Sequence, residues 1–357
     1  MGRAEIARDV MSQERATRTV EESADFLAAI VGNEHQQGER IQAGPVLEMM
    51  YETALSVARR HCDGHAVLLG VDRIDLTRII SHMDLVRMEG RLIEVGHSSM
   101  VIEVRVFAQR PTERSFLPSH VGYITMVAVD GSGKPVRDIP TINYDTPQGG
   151  EAKALAEHRR AQIAERRQAL EWLKGNNRVQ AQDVRESLEP ERYEYLRPEQ
   201  TVVQVKRQLV PAGFQRDERI KGGDFLSWAD RVATYTARRF TRNDHCITIS
   251  MHDITFQRAL HMQDHVELRA SVVYVRSHTL EVSVDVIIHS PDGAVHQPDS
   301  LDFFIFNFHE NGYKKRITTG LLLEEAGQES LRRYLQARTR YEFWKSNPES
   351  HLSQSPE

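Results

Sequence analysis

Two cysteines in 357 residues, Cys62 and Cys246, with no CxxC pair, indicate neither a disulfide framework nor a thiolate metal site. A reducing compartment suits such a chain. Long apolar runs are missing as well: no stretch approaches the ~20 residues of a membrane-spanning helix. Residues 1–22 mix acids and bases without an apolar core, which argues against a secretory signal or a transit peptide. The expectation is a cytoplasmic protein. There is also no excess of one charge, since 46 Lys and Arg against 51 Asp and Glu leave a net charge of −5, so a nucleic-acid partner is not expected. The basic pairs Arg159-Arg160 and Arg166-Arg167 each follow an acid, Glu157 and Glu165, in the manner of a solvated helix face. No GxSxG frames Ser98 or Ser99, so neither is expected to be a serine nucleophile.

The remaining composition, 40% hydrophobic and 27% charged, is that of a globular chain long enough for two domains. Its organising feature is a repeat. The segment Gly38-Glu39-Arg40-Ile41-Gln42-Ala43-Gly44-Pro45-Val46-Leu47 returns as Asp217-Glu218-Arg219-Ile220-Lys221-Gly222-Gly223-Asp224-Phe225-Leu226 at a constant offset of 179 residues, which also pairs Val31 with Val210, Gln36 with Gln215 and Arg59-Arg60 with Arg238-Arg239. Two long copies at such a period are two related domains, not a solenoid.

Each copy reads the same way. A short strand precedes a glycine turn, and an apolar helix follows, about Pro45 to Arg60 in the first copy and Gly222 to Phe240 in the second, with Asp224 near the second N-cap. Alternating strands come next: Ala66–Leu76, Asp84–Glu94, Met100–Phe107 and Gly122–Asp130, then Cys246–Phe256, His265–Val275, Leu280–His289 and Leu301–Phe308. The charged, alanine-rich segment 151–173 predicts an inter-domain helix, and 320–345 a terminal amphipathic one. The domain plan is a lead-in at 1–25, one domain at 26–150, a helical linker at 151–198, a second domain at 199–312 and a tail at 313–357. The fold class is α+β, each domain a long helix wrapped by an antiparallel sheet.

Asp230 stands out within this plan. The second helix carries Phe225, Leu226, Trp228, Ala229, Val232 and Ala233 around most of its circumference, so a carboxylate among them is desolvated and must be paired, hydrogen-bonded or functional. A buried carboxyl gains a pKa suited to a base working on water or to a nucleophile, and the residues leave the two roles open. Free N–H groups at a helix start could stabilise an oxyanion, which makes Gly222-Gly223 and Ala43-Gly44 candidates. Asn33 and His35 lie in the loop before the first helix and are further candidates. Neither a metal nor a cofactor is required.

The pieces Arg60-His61-Cys62, Val95-Gly96-His97-Ser98-Ser99, Thr125–Asp130 leading to Ile139-Pro140, Gly222-Gly223 with Asp230, and Tyr274–Val282 together resemble the double hotdog acyl-CoA thioesterases, a group related to brain-type long-chain acyl-CoA hydrolases and small bacterial acyl-CoA thioesterases. The resemblance covers most of both copies. It implies fusion of two hotdog domains into a pseudo-dimer, hydrolysis of acyl-CoA with coenzyme A as part of the substrate, and assembly as a homo-oligomer, in trimers of such chains. It makes Asp230 the helix acid that activates water and sets a loop residue of the opposite domain across from it. It also places coenzyme A near His97, Ser98 and Ser99 and near Arg276, Ser277 and His278, with an ordinary polar turn as the competing reading. Copy one departs from the pattern: Tyr51 occupies the acid position, with Glu52 one step later, and Gln36 and Gln215 stand where the family has Asn or Asp. Glu52 is a candidate substitute acid, although one step turns it about 100° round the helix and an ion pair is its competing role. A thioester hydrolase with one working site is the expected function; a weak or inactive acyl-CoA-binding or regulatory protein is the alternative. A hotdog hydratase is disfavoured because the second helix lacks an ordered Asp-His pair.

Overall fold

The structure is a computed structural model that describes residues 15–33, 39–175, 184, 192–208, 221–256, 260–296 and 300–346. The first copy comprises β1 (Asp25–Ile30), α1 (Ala43–Cys62), β2 (His65–Leu76), β3 (Leu85–Val95), β4 (Ser99–Gln109) and β5 (Leu117–Val129). Helix α2 (Pro147–Gly175) follows. The second copy repeats the order as β6 (Val203–Gln208), α3 (Gly222–Thr241), β7 (Cys246–Thr255), β8 (His265–Val275), β9 (Thr279–His289) and β10 (Leu301–Asn307), and α4 (Gln328–Ser346) comes last among the described elements.

The strands lie in one antiparallel sheet in the order β1-β3-β4-β5-β2-β7-β10-β9-β8-β6. Each copy thus contributes the same internal order, and the two half-sheets meet edge to edge through β2 and β7. That junction covers an edge that an isolated domain would expose. Its register pairs Gly70 with Thr255, Val71 with Ile254, Arg73 with His252, Ile74 with Met251 and Asp75 with Ser250. Arg73 and His252 are themselves 179 residues apart, so the pseudo-twofold axis relating the copies passes through this one pair.

Both central helices are buried on most sides, as the apolar spread implies. Leu47, Met50, Ala54 and Val57 of α1 and Phe225, Leu226, Ala229 and Ala233 of α3 are fully enclosed, which supplies most of the reason these segments stay helical in a marginal sequence. Helix α1 stops at Asp63, whose left-handed backbone (φ 50°) is one that Asp tolerates. As expected, α3 begins at Gly222 and Asp224 falls in its first turn; the N-cap itself is Lys221, which makes no side-chain cap bond. Packing requires the glycines at this start. A Cβ at Gly222 would collide with Leu68 and Tyr51, and one at Gly223 would crowd Tyr51 and Glu48; glycines here let the start of α3 lie against α1.

The opposite face of the sheet carries α2 and α4. Arg159 and Arg166 of α2 both pair with Asp72, the second at 2.8 Å, and Arg159 lies 3.2 Å from the Tyr123 ring centre. Arg340 of α4 pairs with Glu281 and, at 3.2 Å, with Asp302. The solvated-face reading of Arg159 and Arg166 is therefore corrected: their acid is supplied by a strand, and both are buried or nearly so. Asp72 sits where the β2–β5 register shifts between Val71 and Arg73, a bulge of the sort that re-aims a side chain.

Candidate active site

Asp230 projects from the third turn of α3 and is 1% exposed. The Thr248 hydroxyl, on β7, donates to its Oδ1, while Oδ2 is buried without a full hydrogen-bond partner among the described residues. Burial pushes this carboxyl up to about 6, against the opposing pull of the Thr248 hydroxyl, the Gly44 N–H and, more weakly, Arg231 and Arg238. Gly44 belongs to α1 of the other copy. It can reach this position because it lacks a side chain: a Cβ there would collide with the Ser227 hydroxyl of α3. The first turn of one helix thus faces the acid of the other.

Among the described residues the β2–β7 pairing ends at Asp75–Ser250, and past this rung a cavity of about 900 Å³ opens. Its walls include Gln42, Ala43 and Val46 at the start of α1, Leu76–Ile80 after the ladder, Ile247–Ile249 of β7 and the β8–β9 turn Arg276–Thr279. That size accommodates a cofactor-sized ligand. Asp230 does not line the cavity; Thr248 does, and so links the carboxyl to it. His120 also lines it as a buried neutral imidazole, lowered to about 4 by desolvation, with Nδ1 2.6 Å from the Ser119 carbonyl.

The remaining candidates fall in three places. Arg276, Ser277 and His278 stand on the wall of this cavity with Ala43. His97, Ser98 and Ser99 lie in the equivalent β3–β4 turn, where His97 is mostly exposed and 3.6 Å from Asp138; these three do not line the cavity, since the pseudo-axis carries their turn toward the other interface. Asn33 is exposed, and its N–H donates to the His82 ring at 2.7 Å. His35, Gln36 and Gln215 lie outside the described residues.

At the other interface Tyr51 replaces the acid. It is 5% exposed, desolvation pushes its hydroxyl up to about 12, and the Gly222 N–H of α3 meets it as the Gly44 N–H meets Asp230. Leu69 occupies the position 179 residues before Thr248, so the hydroxyl partner is gone too. Glu52 forms an ion pair with Lys221 at 2.9 Å, with more than a third of its side chain exposed, and Asp224, near Glu48 and Glu52, is raised chiefly by burial. Glu52 thus has the ion-pair role among the two that its position allowed.

Thr248 and His120 were not among the sequence candidates. The 179-residue offset sets Thr248 against Leu69, a polar-for-apolar exchange on an inward strand position, and that contrast is the signal that could have found it.

The model of the Thioesterase superfamily matches residues 43–115 and again 220–293, each match taking in a central helix and the three strands after it. Two segments of the chain, in tandem, match this one family model. An acyl-CoA thioester hydrolase of Bacillus subtilis (strain 168) is 29% identical over 105 residues, or 29% of this chain and 60% of that protein. A second, of Zymomonas mobilis, is 29% identical over 122 residues, covering 34% of this chain and 80% of the relative. This chain therefore spans less than two thirds of the first relative's length. Among solved structures, a hexameric acyl-CoA thioesterase aligns at TM-score 0.39 and 26% identity over 42% of this chain and 97% of its own. An acyl-CoA hydrolase from Bacillus cereus aligns at 0.38 and 24% over 44% and 96%. Each matched domain is a helix wrapped by an antiparallel sheet, the tandem hotdog arrangement. Among the described residues no helix is long and apolar enough to cross a membrane, and no group of three or more His, Cys, Asp or Glu could hold a metal ion.

Proposed function

We propose that this chain hydrolyses acyl-CoA thioesters to free acid and coenzyme A, with Asp230 as the general base. The observation that carries the reading is a buried carboxyl raised to about 6, joined by one hydroxyl to the wall of a 900 Å³ cavity that opens where the two domains part. At neutral pH such a group is ionised yet basic enough to take a proton from water. Of the two roles left open for it, base is favoured over nucleophile, because Thr248 stands on the cavity wall and Asp230 behind it. The Thr248 hydroxyl orients the carboxylate. The first-turn N–H group at Ala43, on the cavity wall, is suited to the developing oxyanion, that of Gly44 being engaged by Asp230, and the Arg276–His278 turn is suited to the coenzyme A portion. The names of the two bacterial relatives support the same substrate class.

The test is release of free thiol from a panel of acyl-CoAs. Turnover by the unaltered chain with loss in Asp230→Asn supports the reading; acyl-CoA binding without thiol release from any of the panel establishes the binding protein instead. We further propose that the chain assembles as trimers of the tandem unit, and a monomer by light scattering overturns that part alone.

A further inference from the structure

We infer that Arg40 is an anion-recognising residue of the cavity, taking a negatively charged group of the thioester substrate: a phosphate of the coenzyme A carrier or a carboxylate carried on the acyl chain. This inference rests on the thioesterase reading and goes further by assigning a charge to what the cavity accepts.

The side chain is placed by elements from both domains. The backbone of Arg40 bridges Ser81, the neighbouring Ile41 N–H donates to Ile80 at 2.9 Å, and the His82 N–H donates to Glu39 at 2.7 Å, so the segment leading into α1 is pinned on both sides of it. From there the guanidinium crosses to the second copy and lies with its carbon 4.2 Å from the centre of the Phe308 ring. Gly312, at φ +91°, admits it: a Cβ at that position would collide with Nη2. A ring face and a side-chain-free turn hold the group flat without neutralising it.

Charge is what the arrangement lacks. Nη1 is buried and has no hydrogen-bond partner among the described residues, and desolvation lowers the pKa of Arg40. Guanidinium groups removed from water are normally met by a carboxylate. Among the described residues no acid lines the cavity, whereas Arg78, Arg110, Arg276 and Lys314 line it together with Arg40. Arg78 has Glu113 at 2.7 Å and Arg276 lies over Tyr341 at 4.3 Å. A desolvated planar fork without a counter-charge among the described residues, on a wall whose described charged side chains are all basic, matches a phosphate or carboxylate, which it can grip with two parallel hydrogen bonds.

Four thioester probes with a common acyl length test this: an acyl-CoA, its 3′-dephospho analogue, the acyl-pantetheine that has no phosphate, and an ω-carboxyacyl-CoA. In Arg40→Gln, KM for the probe carrying the recognised anion should rise about tenfold or more while kcat moves less than about threefold; Arg40→Lys should recover part of the loss, and the melting temperature should hold. A wild-type advantage confined to the phosphate-bearing probes assigns a phosphate, and one confined to the ω-carboxy probe assigns a carboxylate. Equal losses on all four, acyl-pantetheine included, or no change on any, overturn the inference. Gly312→Ala keeps the charge but displaces the guanidinium, and should reproduce the KM rise on the same probe. If the unaltered chain releases no thiol, the hydrolase reading fails; titration calorimetry with coenzyme A against pantetheine, in wild type and Arg40→Gln, then still decides the role of Arg40.

Discussion

The two domain interfaces are built alike and equipped differently. At one, the start of α1 faces Asp230 with Thr248 beside it; at the other, the start of α3 faces Tyr51 with Leu69 in the hydroxyl's place. The scaffold, including the glycine that lets one helix start approach the other helix, is kept in both. Two side chains separate them in chemistry at the acid position and its hydroxyl partner. The phenol takes a backbone donor from the first turn of the opposite helix, one position earlier than the carboxyl's, but with its proton held to about pH 12 it cannot act as a base near neutrality. The lesson is that this packing of helix start against helix side stands without the chemistry.

The largest effect should come from Asp230→Asn, which keeps the shape and removes the base: thiol release should fall about 10² to 10⁴-fold. If the variant keeps full activity while Glu52→Gln loses it, the roles of the two interfaces are reversed.

The pH dependence sharpens the same contrast. With the carboxyl raised to about 6, kcat should climb as pH rises through that value and then level off. Stability runs the other way. An unfolded Asp releases its proton near ~3.9, so between there and about pH 6 the folded chain holds the extra proton, and its advantage is lost as pH rises across that window. The amount is about 3 kcal/mol, taken as the difference between wild type and Asp230→Asn in denaturant unfolding. A difference that does not vary with pH would show that the carboxyl is not raised.

A smaller loss is expected for Thr248→Val, roughly tenfold in kcat. Because the hydroxyl favours the charged carboxyl, its removal should shift the activity midpoint upward by about one unit, in keeping with a charge-assisted hydrogen bond of ~1.5–3 kcal/mol. A downward shift, measured as kcat against pH, would contradict the assigned role.

At the other interface Tyr51→Phe should change turnover by less than about twofold and lower stability by ~1 kcal/mol, the contribution of one buried hydrogen bond. The smallest effect is the most discriminating. Tyr51→Asp with Leu69→Thr copies one interface into the other, and in an Asp230→Asn background any recovered thiol release would come from the rebuilt site.

Much of this was legible before the structure because periodicity and repetition are local signals. The alternation of Val101 to Val106, the apolar spread around Asp230 and the constant offset of 179 each follow from neighbouring letters. Partners far apart in the chain were not legible. The charges of Arg159 and Arg166 look like a wetted helix surface until Asp72, on a strand of the first domain, is brought beneath them. Thr248 escaped for a similar reason, since Ile247-Thr248-Ile249-Ser250 reads as a strand with one polar face, and only folding shows that this face meets an acid. The cation–aromatic contact of Arg40 with Phe308 spans two domains and leaves no local trace.

The axis running between Arg73 and His252 bears on how such a chain can change over time. In an assembly of two identical polypeptides, whatever residue occupies a dyad must meet its own twin, and an arginine there would face another arginine. Joining both halves in one gene lifts that constraint. Here the cation stands beside a histidine kept well below its ordinary pKa by burial and by the arginines around it, hence uncharged. Once the two sides of the axis can be inherited separately, one half is free to lose its acid while the other retains it.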